Sequence, residues 1–184
     1  MARKLREWYP NTCYHITSRG NRRSDIFKDE ADFGVYLNII SLAIQSFEET
    51  PYELVCYCLM DNHVHLLIQT STSPLGPLMK KINMNYAIYF NKKYNYIGHL
   101  HQGRFYSDLI ENSSQLLTAS RYIHLNPVAA NMVELPQEYI YSSYRAFIDM
   151  DTCELVNKER VLSHFKEDCA PVLYQEFVES KIAR

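Results

Sequence analysis

The sequence contains no apolar run approaching the roughly eighteen residues that a membrane-spanning helix needs. Its basic opening, Met1 to Trp8, lacks the apolar segment of an export signal. A soluble chain that stays in the cytoplasm, with no membrane partner, is expected. Zinc-like cysteine spacing is also missing: Cys13, Cys56, Cys58, Cys153 and Cys169 make an odd set. Cys56 and Cys58 would share one face of a strand, too far apart there for a relaxed disulfide, so reduced and buried thiols are expected. There is no internal repeat, low-complexity tract or long linker. One domain over residues 1–147 is expected, with a partly helical tail over 148–184 packed on it.

Acid is scarce in two stretches. Residues 1–23 carry Arg3, Lys4, Arg6, Arg19, Arg22 and Arg23 against Glu7, and residues 74–107 carry Lys80, Lys81, Lys92, Lys93 and Arg104 against no acid. The net charge is nevertheless −2, because residues 24–61 and 134–184 are acidic. A weakly acidic protein with two basic segments fits either a local phosphate-binding surface or solvated helix faces.

Strand-forming residues from Cys13 to Ser18 stop at the turn signal Gly20-Asn21. Phe33, Leu37, Ile40 and Ile44 recur at helical spacing and predict a helix over Asp29 to Glu49, closed by Pro51. Tyr52 to Met60 and His63 to Thr70 read as strands joined by the two-residue turn Asp61-Asn62. A long helix is predicted over Pro74 to Tyr94 and a fourth strand over Phe105 to Ile110. Another helix, capped by Ser113-Ser114, is expected to stop near Asn126 because Pro127 follows. This order is that of an α+β ferredoxin-like sandwich, with an antiparallel four- to five-stranded sheet, helices on one face and a functional site on the open face.

Two features carry chemistry. Side chains alternate along a strand, so Val64, Leu66 and Ile68 would face the helices while His63 and His65 point together from the other face. Their Cα atoms would lie roughly 6.5–7 Å apart, which lets two imidazoles converge on one divalent ion. With seven histidines such a pair can arise by chance, and His99-Leu100-His101 is a competitor in an apparent loop. On the last predicted helix Tyr122 and Asn126, four apart, share a face with Thr118 and Gln115, while Leu116 and Ile123 lie opposite. A tyrosine hydroxyl one turn from an amide oxygen offers a nucleophile and a possible ligand. His124 points to the other side of that helix and reads as structural.

Met60 to Leu67 together with Ser120 to Val128 resembles the HUH single-tyrosine transposases, in which two histidines flank a hydrophobic residue. Ser18 to Arg23, Gly98 to Phe105 and Tyr141 to Arg145 bring the resemblance closest to the REP-associated tyrosine transposases. It runs from about Tyr14 to Phe147. The resemblance implies His63 and His65 as metal ligands, Tyr122 as nucleophile, and Asn126 where the family has its third ligand. Shorter insertion-sequence enzymes usually have glutamine at that place. His101 stands where relatives commonly have a large aromatic, which favours packing or DNA contact for His99 and His101.

A phenol titrates near 10, so an unassisted tyrosine is a poor nucleophile at neutral pH. The implied activity is a single-stranded DNA endonuclease and strand transferase, working through a 5′-phosphotyrosine with Mg²⁺ or Mn²⁺. Imidazole also suits zinc. Implied partners are single-stranded or hairpin DNA, bound through Arg19, Asn21, Arg22, Arg23, Arg104, Lys80 and Lys81, in a cytoplasmic, nucleoid-associated protein that could form a homodimer. Two other readings are a catalytically retired DNA- or RNA-hairpin-binding protein on the same scaffold, and another HUH nuclease of replication-initiator or relaxase type.

Overall fold

A computed structural model describes residues 8–182. The basic Arg3, Lys4 and Arg6 lie outside the described residues. Four strands, β1 (Cys13–Arg19), β2 (Glu53–Met60), β3 (His63–Gln69) and β4 (Tyr106–Ile110), form one sheet in the order β2-β3-β1-β4 with every pair antiparallel. Helices α1 (Glu30–Gln45), α2 (Leu75–Tyr94) and α3 (Ser113–Ala129) alternate with the strands, giving the ferredoxin-like order expected from the sequence. Three short or late helices follow: α4 (Tyr144–Phe147), α5 (Glu159–Leu162) and α6 (Ala170–Glu179).

The first two helices pack on each other and on one face of the sheet. There Phe33, Tyr36 and Ile40 of α1 and Leu78, Ile82, Tyr86 and Phe90 of α2 are buried, at the spacing that lines one side of a helix. Val64, Leu66 and Ile68 of β3 are fully buried. Tyr86, inside this core, satisfies its hydroxyl by donating to the Ile26 carbonyl at 2.6 Å. Asp29 caps α1 by accepting from the Asp32 amide, and the Asp32 carboxylate accepts from the amides of Lys28 and Asp29. The helix closes at Gln45, earlier than Pro51 suggested. The Ser46 hydroxyl donates to the Ala43 carbonyl, and Phe47 turns in against Tyr52.

The other face of the sheet is not bare, since α3 lies across it. Its N-cap is Asn112, one residue before the serines expected to cap it, and its side chain accepts from the Gln115 amide at 3.0 Å. The helix also runs past the predicted stop. Pro127 sits inside its last turn with a buried ring, and the helix continues to Ala129. A proline so near the end removes only one backbone bond, and the Ala130 amide still donates to the Asn126 carbonyl at 3.0 Å.

β2 is an edge strand, yet Leu54 to Met60 are all buried. The chain after α3 covers its free edge: the Leu59 amide donates to the Tyr141 carbonyl, Ser143 to Tyr57, and Asn157 to Leu54. The opposite edge, β4, has no buried residue.

Candidate active site

The hairpin turn Asp61-Asn62 sets the geometry of the site. It places His63 and His65 on the α3 face of β3, opposite Arg19 and Thr17 of β1 across the ladder. From the other side, α3 lowers Tyr122 onto the pair. The Tyr122 ring meets His65 edge-on at 5.5 Å between centroids, and His15 of β1 likewise at 5.7 Å. Tyr122 itself is 53% exposed, open to a large substrate, whereas His65 is 5% exposed.

Each of these side chains has one end held by a neighbour. His63 Nδ1 lies 2.6 Å from the Asn62 side-chain oxygen, an acceptor, so it carries the proton and leaves Nε2 with a lone pair. His65 Nδ1 lies 2.9 Å from His15 Nε2 and 3.3 Å from Thr17 Oγ1. The Asn126 amide nitrogen donates to the Tyr122 carbonyl at 2.8 Å, and the same side chain acts on His65 as an acceptor. The set therefore fits a divalent cation: two imidazoles and one amide oxygen, each oriented by a neighbour. Among the described residues no three His, Cys, Asp or Glu side chains gather to hold a metal ion.

The electrostatics agree with neutral rings. Burial pushes His65 down to about 3, assisted by the neighbouring His63, His15 and Arg19. Burial, then Arg19, pushes His63 down to about 4. His15 is lowered by burial against the opposing pull of Asp108. Lone pairs are thus available at neutral pH.

The basic residues separate into two groups. Gly20 donates its amide to the Asn62 carbonyl, Asn21 to Leu100, and both Ile26 and Phe27 to Asp61, so the segment carrying Arg22 and Arg23 wraps the hairpin turn beside His63. Only glycine fits at position 20, because a Cβ there would stand 2.0 Å from the Ser24 carbonyl oxygen. Arg22 and Arg23 both have φ near +60° (55° and 61°), a left-handed backbone uncommon for arginine. Lys80 and Lys81, by contrast, lie on α2 across the sheet from Tyr122, with Lys81 over the Phe47 ring. Arg104 lines a cavity of about 170 Å³ with Trp8, Tyr14 and Leu75. A larger cavity, about 670 Å³, lies at the N-terminal end of α3 among Glu111, Asn112, Arg160 and His164 and shares no residue with the site.

His101 lies away from the histidine pair. Its Nδ1 is 3.3 Å from Ser18 Oγ, on the α2 face of β1, and the hydroxyl of Ser18 also reaches Asn83. His15, Thr17 and Asn62 were not singled out from the sequence. Alternation along β1 groups His15 with Thr17 and Arg19, but only the pairing with β3 reveals that this face is the one His65 occupies.

The family model described as "Transposase IS200 like" matches residues 9–126. A Haemophilus influenzae protein named as a REP-associated tyrosine transposase is 31% identical over 121 residues, 54% of this chain and 63% of that protein. The matched part is thus less than two thirds of the relative's length. A solved REP-associated tyrosine transposase bound to a REP hairpin superposes with a TM-score of 0.66 at 16% identity, over 85% of this chain and 98% of that one. That likeness is one of fold.

Proposed function

Because this chain belongs to the IS200-like transposase family, we propose that it cuts and rejoins single-stranded DNA beside a hairpin through a phosphotyrosine on Tyr122. The observation that carries this reading is the edge-on contact of the Tyr122 ring with His65, which brings a nucleophile from α3 to the histidine pair of β3. Hairpin DNA as partner is supported by the REP hairpin bound to the solved relative.

Tyr122 Oη attacks the scissile phosphorus, the P–O3′ bond breaks, and the 5′ side stays on the enzyme as a phosphotyrosine ester. The phenolic proton passes through solvent to the departing oxygen, which leaves as a free 3′-hydroxyl. Attack by the 3′-hydroxyl of another end reverses the exchange. One P–O bond forms for each one broken, so strand joining needs no nucleotide cofactor.

His63 and His65 through Nε2, with Asn126 through its amide oxygen, would hold Mg²⁺ or Mn²⁺. The chemistry supplied by such an ion, when bound, would be Lewis-acid polarisation of the scissile phosphate and compensation of the charge that develops on it. Arg19, Asn21, Arg22 and Arg23 stand beside the pair and hold flanking phosphates. Arg104, Lys80 and Lys81 serve the DNA farther out. Binding through these cations weakens steeply with salt.

The test is incubation with Mn²⁺ and labelled single-stranded hairpin oligonucleotides, resolved on denaturing gels beside Tyr122→Phe and EDTA lanes. Label shifted to a protein-sized band, absent from both controls, is expected. Cleavage that survives Tyr122→Phe without an adduct overturns the mechanism. Binding without cutting under any divalent cation points instead to a hairpin-binding protein.

A further inference from the structure

The contact between His15 and His65 joins residues fifty positions apart, and the chemistry above leaves His15 without a task. We propose that His15 is a positioning residue, which holds the His65 ring so that Nε2 rather than Nδ1 is presented to a divalent cation. This rests on reading His63, His65 and Asn126 as a metal site.

An imidazole can offer either nitrogen to a metal, and the partner of the other nitrogen decides which. At His65, Nδ1 is taken: His15 Nε2 stands at 2.9 Å and Thr17 Oγ1 at 3.3 Å. The two rings lie 5.1 Å apart with a 30° tilt, and Tyr122 packs edge-on against both. His15 therefore sets the direction of His65 and also walls the space beneath the tyrosine.

A carboxylate or carbonyl usually occupies this outer position. An imidazole differs because it can both donate and accept. Without a cation, His65 can donate from Nε2 to the Asn126 oxygen while accepting at Nδ1 from His15 Nε2–H. When Nε2 gives its lone pair to a cation, the His65 proton must sit on Nδ1 and His15 must accept. The shared proton crosses from His15 to His65, one proton leaves His65 Nε2 for solvent, and one arrives at His15 Nδ1. Each ring keeps one proton in both states, so both remain neutral.

The deciding experiment titrates Mn²⁺ calorimetrically into the parent protein, His15→Phe and His15→Gln. Nitrogen-detected histidine spectra of the parent with and without Zn²⁺ run alongside. Phenylalanine keeps the ring packed against Tyr122 but removes the polar atom. Glutamine retains both a donor and an acceptor. Mn²⁺ affinity should fall about 10-fold or more in His15→Phe and recover to within about threefold of the parent in His15→Gln. Zn²⁺ should move the His65 proton from Nε2 to Nδ1.

Parent-like Mn²⁺ binding by His15→Phe overturns the role of His15 and leaves the metal site standing. Equal weakening in both variants overturns it too, because it shows that packing rather than the hydrogen bond matters. If His15→Phe fails to fold, His15→Gln and the parent spectra decide, and a His65 that keeps its proton on Nε2 with Zn²⁺ present overturns the proposal. A parent protein that binds neither ion overturns the metal reading, and the inference with it.

Discussion

Two buried histidines near α3 have opposite surroundings. His124, on the buried side of α3, has Nδ1 2.7 Å from the Tyr174 hydroxyl and Nε2 2.9 Å from Ser143 Oγ. Ser143 already accepts from the Tyr57 amide and donates to the Tyr57 carbonyl, so His124 must donate from Nε2 and accept at Nδ1 from Tyr174. Tyr144, Phe147 and Tyr174 pack around the ring. Both nitrogens are used up by the interior. His65 gives Nδ1 to its neighbours on the sheet, and its ring stands beside the Asn126 side chain and the exposed Tyr122. Burial is common to both rings, and what separates them is their partners: a closed aromatic core around His124, and an exposed helix face with Tyr122 and Asn126 beside His65.

His65→Gln should break the comparison on the functional side. Losing one ligand of the proposed cation should reduce oligonucleotide cleavage about 1000-fold, since metal stabilisation of the transition state is worth several kcal/mol. The melting temperature should change less than in the next variant. Equal loss of stability and cleavage would mean that His65 is structural like His124.

His124→Leu should do the reverse. It takes the His124 partner from the buried Tyr174 hydroxyl, while Ser143 keeps its bonds to Tyr57, and replaces a fitted ring in a closed core, which costs about 2–4 kcal/mol in all. Melting should fall by roughly 5–15 °C for a chain of this size, while Mn²⁺ affinity stays within about threefold of the parent. A variant as stable as the parent would show that the network carries no net stability.

Acid sharpens the contrast further. Burial pushes His124 down to about 3 in the folded state, while an unfolded histidine titrates near 6.5. Below about 6.5 the unfolded chain binds a proton that the folded chain refuses, so stability falls with pH. That loss runs from about 6.5 towards 3 at up to about 1.4 kcal/mol per pH unit for this group. Melting curves across this range should be less steep in pH for His124→Leu than for the parent. Identical slopes would remove His124 from the acid response.

The smallest effect belongs to the surface. Arg160 pairs with Glu53, which also accepts from Asn157, tying the late chain to the start of β2. Both side chains are 39% exposed, so Arg160→Ala should cost no more than about 1 kcal/mol in a denaturant melt. A larger loss would mean that the cover on the β2 edge depends on this pair rather than on the buried His124 network.

Much of this arrangement was legible along the chain. Alternation in β3 places His63 and His65 on one face, and the four-residue spacing in α3 places Tyr122 beside Asn126. The order of strands and helices sufficed for the fold class. The course of α3 past Pro127 was not legible, because a proline in the last turn is tolerated where its ring is buried and one backbone bond can be spared. Nor was the cover on β2, which consists of backbone bonds from Tyr141, Ser143 and Asn157 to Leu59, Tyr57 and Leu54 with no side-chain pattern to mark them.

By itself the sequence determined which residues share a face within each element, since the backbone repeat of a strand or helix depends only on local geometry. Which of those faces meet was decided by tertiary structure alone. The β1–β3 register sets Thr17 opposite His65 and brings His15 within hydrogen-bond reach of it, and packing of α3 on the sheet brings Tyr122 down on both rings. A register shifted by one residue would turn His15 to the other face, and no local periodicity reports that choice.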